Sequence, residues 1–129
     1  MRIKRQIDVE DEIRQALSEY ITAYCRPLPA KFKMPCILIQ QVGGTDEDTI
    51  DTFNVVLDAR AKTEAEAMET LRNAVGITKE IANRGNTALR YASINSSGSW
   101  GNDPARPDIA MCSATLRVVA HQEDHTIGG

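Results

Sequence analysis

Aromatic residues make up only 5% of this 129-residue chain, with a single tryptophan, so there is little material for stacking nucleic-acid bases. Nor is there a basic surplus. Fifteen Lys and Arg stand against 18 Asp and Glu, for a net charge of −3. A dedicated nucleic-acid binder needs an excess of cations to neutralise phosphates. No apolar stretch approaches the ~20 residues of a membrane-spanning helix. The basic start, residues 1–8, lacks the apolar run of a signal peptide. Cysteine is sparse and unpatterned: Cys25, Cys36 and Cys112 are odd in number, far apart and without a CxxC pair. They read as free thiols in a reduced compartment, with Cys36 and Cys112 buried on strands. What is present is ordinary for a globular chain, with 42% hydrophobic and 26% charged residues. A chain of this length buries roughly two-thirds of its unfolded surface and folds without staples. The expectation is one domain over 1–129, with an ordered core over about 5–120 and a polar, fraying tail over 121–129.

Periodicity sets out the elements. Val9, Ile13, Ala16, Leu17, Tyr20, Ile21 and Tyr24 recur at helical steps, with Asp8 placed to cap them and Pro27 and Pro29 to end them. Cys36 to Val42 is a short apolar, β-branched run closed by Gly43-Gly44. Phe53, Val55, Leu57 and Ala59 alternate with Asn54, Asp58 and Arg60, as in a half-buried strand. Thr63-Glu-Ala-Glu66 is a capping box, and the stripe from Ala67 to Ala82 ends at Gly85, a residue suited to a left-handed cap. Leu89–Ser97 reads as a weaker strand, the Ser/Gly/Pro-rich stretch 96–107 as a loop, and Ala110–Ala120 as a long alternating strand. The predicted fold class is therefore α+β: a two-layer sandwich in α-β-β-α-β-β order. Its mainly antiparallel four-stranded sheet has the helices on one face. The other face, half apolar, is what an oligomer would cover.

No set of residues supplies catalysis, and no cofactor or metal is expected. His121 and His125 are four apart, but Glu123 and Asp124 do not sit where zinc-protease motifs need a glutamate. The acidic run from Asp46 to Asp51 fails as a calcium loop, because Asp51 and Leu57 occupy the positions of the obligatory glycine and closing glutamate. Cys36 and Cys112 sit on predicted strands, with the histidines at the far end of the chain, so they read as core residues rather than as half of a Cys-His pair. Two features point instead to contacts with other chains. Residues 44–70 carry a local balance of −6, flanked by mildly basic ends, which suits head-to-tail association or simply solvates a turn and a helix start. Trp100 lies in a loop with Pro104, Arg106 and Pro107, either as an intrachain plug or as an interface anchor of the residue types that dominate binding energy.

One ordered combination extends over roughly residues 5–120. A capped helix leads to Met34-Pro-Cys-Ile-Leu-Ile-Gln-Gln-Val-Gly-Gly44. An acidic turn, Phe53-Asn-Val-Val-Leu-Asp-Ala-Arg60 and a helix opening at Thr63-Glu-Ala-Glu-Ala67 follow. Pro104-Ala-Arg-Pro-Asp108 then precedes the last strand. This pattern resembles the tail terminator (tail completion) proteins of long-tailed bacteriophages. The resemblance implies a virion structural protein without enzymatic activity, made in the host cytoplasm and located in the tail or neck. Such proteins form a homo-oligomeric ring, commonly hexameric, on the head-proximal end of the tail tube. The ring ends tube polymerisation and offers a head-joining surface. Its implied partners are further copies of itself, the major tail tube protein and head-completion or connector proteins. DNA passes through the lumen without specific binding, and no membrane is involved. Trp100, Pro104, Arg106 and Pro107 would then be interface residues, and Asp46, Glu47, Asp48 and Asp51 a lumen- or partner-facing turn. The alternatives are another neck component, such as a head-completion or stopper protein, and a small α+β module that binds a ligand or RNA.

Overall fold

Among the described residues of the computed structural model, nine elements follow one another: β1 (Arg2–Arg5), α1 (Val9–Leu17), β2 (Thr22–Cys25), β3 (Cys36–Glu47), β4 (Ile50–Ala61), α2 (Glu64–Arg84), β5 (Leu89–Asn102), β6 (Ala110–His121) and β7 (Glu123–Thr126). The structure describes residues 1–47 and 50–128, and only the backbone at 47 and 97–99.

Local chemistry fixes both helices. Asp8 caps α1 by accepting from the Asp11 N–H at 3.1 Å, and Glu10, Asp11 and Glu12 fill the first turn, where the helix dipole favours anions. Thr63 caps α2 in the same way through the Glu66 N–H, at 3.2 Å. Gly85 ends that helix in the left-handed region at φ 72°. The first helix is shorter than its apolar spacing predicts. It stops at Leu17, whose carbonyl takes the N–H groups of both Tyr20 and Ile21, and Thr22-Ala-Tyr-Cys25 turns to extended backbone. Tyr24 fits the helical period by coincidence. Its β-branched and aromatic neighbourhood prefers a strand once β3 is there to pair with.

The larger sheet corrects the predicted sandwich. Strand accounts for 48% of the chain, which makes the molecule mostly β. Among the described residues, five strands in the order β2-β3-β4-β6-β5 form one sheet, and β1 and β7 form a second. The large sheet is mixed, because β2 lies parallel to β3, with Thr22 opposite Cys36. All its other neighbours are antiparallel. Ile37, Ile39, Phe53, Val55, Leu57, Leu116 and Val118 point from the sheet into one core. There they meet Val9, Ile13 and Leu17 of α1 and Ala67, Leu71, Ala74 and Val75 of α2. Where the four residues of β2 run out, Glu10 takes over as partner of β3 and accepts the Gln41 N–H at 2.9 Å. It also receives Arg26 at 2.6 Å.

Two regions expected to be irregular are ordered by pairing. β5 continues to Asn102 through the Ser/Gly-rich stretch, because β6 offers partners as far as Ala110, with three register shifts along the way. The tail likewise does not fray: Glu123–Thr126 pairs antiparallel with Arg2–Arg5. Cross-strand charges match there, with Arg2 and Lys4 reaching Asp124 at 3.3 and 3.0 Å and Arg5 reaching Glu123 at 3.4 Å.

The hairpin of β3 and β4 depends on one glycine. A β-bulge interrupts its register between Gln41 and Gly43. Just beyond, Gly44 sits at φ +153°, and a Cβ built there would lie 2.3 Å from the Thr52 carbonyl oxygen.

Candidate functional site

The sheet face away from the helices carries a buried charge cluster. Asp58 and Arg60 lie two apart on β4 and so share that face, and Cys36 stands opposite Arg60 across the β3–β4 ladder. Arg60 donates from Nε to Asp103 Oδ2 at 2.9 Å, and its Nη1 lies 3.5 Å from Asp58 Oδ2. All three side chains are about nine-tenths buried. Asp103 also collects the backbone N–H groups of Ala105 and Arg106, at 2.8 and 3.2 Å. It thereby shapes the turn after β5 and anchors that turn to the sheet. Asn102 Nδ2 closes the same turn on the Pro107 carbonyl at 2.7 Å, and Ile109 is buried beneath it.

The cluster's electrostatics differ from group to group. Burial pushes the Asp58 carboxyl above the usual carboxylate range; Arg60 opposes this and Asp103 reinforces it. For Asp103 burial acts in the same raising sense, but the Arg60 hydrogen bond, the Ala105 N–H and the Arg60 charge together hold the carboxyl below its ordinary value. Burial pushes the Cys36 thiol up to about 11, so at neutral pH it is protonated and a poor nucleophile. The cluster acts as a clasp that holds the turn after β5 to β4. Cys36 and Cys112 are both fully buried, as expected, while Cys25 is part-exposed. Among the described residues, no group of three or more His, Cys, Asp or Glu is placed to hold a metal ion.

The residues singled out as interface candidates fall on the end of β5 and on the turn that follows it. Trp100 lies on β5 rather than in a loop, opposite Cys112, and is 46% exposed. Pro104, Arg106 and Pro107 are exposed on the clasped turn, where Arg106 approaches Asp108 at 3.9 Å. The acidic turn is split. Asp46 is exposed and Asp51 is buried, with Gln122 Nε2 donating to them at 2.8 and 3.1 Å. Glu47 is described by its backbone alone, and Asp48 lies outside the described residues.

Sequence reasoning missed the surfaces on either side of α2 and the contrast between the two sheet edges. β5, fourteen residues long, is one edge and carries Tyr91, Ile94 and Trp100, each about half exposed. Three register shifts along its pairing with β6 disturb the free side of this strand. Such bulges discourage simple addition of another strand. β2, the other edge, has only four residues. Between α2 and β5 lies a groove of about 420 Å³, with Met68, Val75, Ile94 and Ala114 as apolar lining and Arg72 and Lys79 at its rim. Across α2 lies a second groove of about 280 Å³, lined by Tyr20, Ile77, Ile81 and Arg84. Gly76 borders both. Ile94 gave no hint of exposure, because it stands opposite buried Leu116 and so lies on the strand's inward face.

No helix of the described residues is long and apolar enough to cross a membrane. No protein-family model matches the chain, and a search of curated proteins also finds no match.

Proposed function

We propose that this chain is a non-catalytic structural subunit that assembles head to tail into a ring, in the manner of the phage tail terminators its sequence resembles. The observation that carries the reading is the inequality of the two sheet edges. One is long, bulged and studded with half-exposed Tyr91 and Trp100; the other is four residues long and followed by Pro27 and Pro29. Edges this unlike favour a heterologous contact, in which one surface of a copy meets a different surface of the next, and such contacts close into rings when the rotation between copies closes and run on as filaments when it does not. The bulges direct that contact to side chains, with Trp100 as the anchor. In this reading the ring sits at the head-proximal end of a tail tube, within the virion neck. The tube protein lies on one side, connector or head-completion proteins on the other, and DNA passes through the lumen.

Native mass measurement and negative-stain imaging of the purified chain at micromolar concentration test it. Rings with a central hole, capping tail tubes when tube protein is added, are the expected result. A chain that stays monomeric alone and leaves tube length unchanged overturns it.

A further inference from the structure

We propose that Arg60 is a two-position latch: it holds the turn of residues 103–108 through Asp103, and frees that turn by moving over to Asp58. The latch works inside a single subunit, so it stands apart from ring formation.

The polar contacts of the turn single out one link. Ala105 and Arg106 donate to Asp103 Oδ1, and Asn102 Nδ2 donates to the Pro107 carbonyl. The Asp103 N–H reaches the Ile109 carbonyl at 3.0 Å, and the Ile109 N–H reaches that of Arg106 at 3.0 Å. Arg106 approaches Asp108. Among the described residues, all of these close within 102–109, and only the Arg60 Nε bond to Asp103 Oδ2, at 2.9 Å, ties the polar groups of the turn to β4. The turn is a preformed unit held at its ends by the β5–β6 ladder and by buried Ile109.

Arg60 has a second carboxylate within reach. Asp58 is fixed on the same face of β4, whereas Asp103 rides on the turn. Arg60 Nη1 is 3.5 Å from Asp58 Oδ2, longer than a good hydrogen bond. Asp58 Oδ1 and Arg60 Nη1 are shut off from solvent and have no hydrogen-bond partner among the described residues. A buried donor and a buried acceptor left over side by side are costly. Pairing Arg60 directly with Asp58 relieves both. The guanidinium is a rigid planar fork, so closing that gap turns its plane and lengthens the Nε bond to Asp103. Two carboxylates therefore compete for one cation.

The charge on Asp58 decides the competition. Neutral, it makes little claim on Arg60, and the turn is held. Ionised, it attracts Arg60 and repels Asp103, and both effects loosen the turn. Burial raises the Asp58 carboxyl, so this change falls above the ordinary carboxylate value of about 4, where Asp103, held low, is already ionised. The other titratable groups near Asp58 are the thiols of Cys36 on β3 and Cys112 on β6. Burial pushes both up, and both stay neutral across this range. Pro104, Arg106 and Pro107, exposed on the turn, are thus a fixed surface when Asp58 is protonated and a movable one when it is ionised.

The test is NMR relaxation dispersion of the full chain at the backbone amides of Asp103, Ala105, Arg106 and Asp108, which reads the released population. That population should rise about threefold or more from about pH 4 to about pH 8, with the midpoint at which the Asp58 carboxyl carbon titrates. Asp58→Asn, similar in shape but uncharged, should keep the turn held at every pH. Asp103→Asn preserves acceptors for the turn's own bonds but weakens the grip of Arg60, and should leave the turn mobile already at about pH 4. A wild-type turn equally rigid at both ends of the range overturns the proposal without any variant. Mobility that persists unchanged in Asp58→Asn overturns it too, because the turn would then not answer to the Asp58 charge.

Discussion

Arg60 and Asp103 lie 43 residues apart in the chain, yet the Arg60 Nε and an Asp103 carboxylate oxygen meet at 2.9 Å in a buried hydrogen bond. The same Asp103 carboxylate, through its other oxygen, organises the turn that follows β5. One side chain therefore sets a local backbone shape and joins it to a sheet face that the sequence alone does not place nearby.

Asp103→Ala removes both roles and, among the described residues, leaves Arg60 the more distant Asp58 as ion-pair partner. Breaking a buried ion pair from one side costs about 3 kcal/mol. Urea denaturation should show a loss of that order, together with faster amide exchange at Ala105 and Arg106. A loss below about 0.5 kcal/mol, the scale of an ordinary surface change, would mean the clasp contributes nothing.

The two carboxylates should respond to acid in opposite senses. Asp103 has its folded pKa lowered, so its contribution is present above the ordinary carboxylate value of about 4 and is lost as pH falls through the lower folded value. Asp58 has its folded pKa raised, so its ionised form is a liability at neutral pH. That liability is relieved as pH falls through the raised value towards about 4. Stability curves of Asp58→Asn and wild type should therefore converge as pH drops from 7 towards 4. Those of Asp103→Asn and wild type should converge only below about 4. Parallel curves across the whole range would contradict the assignment.

Gly44→Ala puts a methyl group against the Thr52 carbonyl at a positive φ. A loss of about 2 kcal/mol is expected from strain of this kind. Gly43→Ala makes a useful comparison, since its nearest contact is Asn54 Nδ2 at 3.6 Å. It should cost clearly less in thermal unfolding.

Trp100→Ala should weaken association by about 2 kcal/mol or more if the ring is buried at the contact between copies. The subunit's melting temperature should move little, because the side chain is already 46% exposed. A large drop in melting temperature with assembly preserved would make Trp100 an intrachain support.

The features legible in the sequence are those encoded within a few residues. Thr63 and Gly85 mark the ends of α2 because capping is local, and the alternation from Phe53 to Ala59 gives a strand with the correct face inward. What was misread depends on distant partners. β1 and β7 are polar and short, and they become strands only because Arg2, Lys4 and Arg5 find Glu123 and Asp124 near the other end of the chain. Ser96 to Asn102 has loop composition, yet the ladder offered by β6 overrides it. The site follows the same division. Trp100 and Arg106 were singled out by residue type and are indeed exposed, but on a strand edge and on a pinned turn. The Asp58–Arg60–Asp103 cluster has no signature, because its members come from two separate segments.

The small sheet of β1 and β7 has a mechanical consequence. Its antiparallel register puts the Met1 ammonium 2.8 Å from the Ile127 carbonyl, at the same end of the pair. Tension applied between the two ends of the domain would peel that pair open one rung at a time, the weakest loading geometry for a β-ladder, before any load reached the five-stranded sheet. A tether or tag at either end would leave from the same spot, and the small sheet would serve as a breakaway link that spares the rest of the molecule.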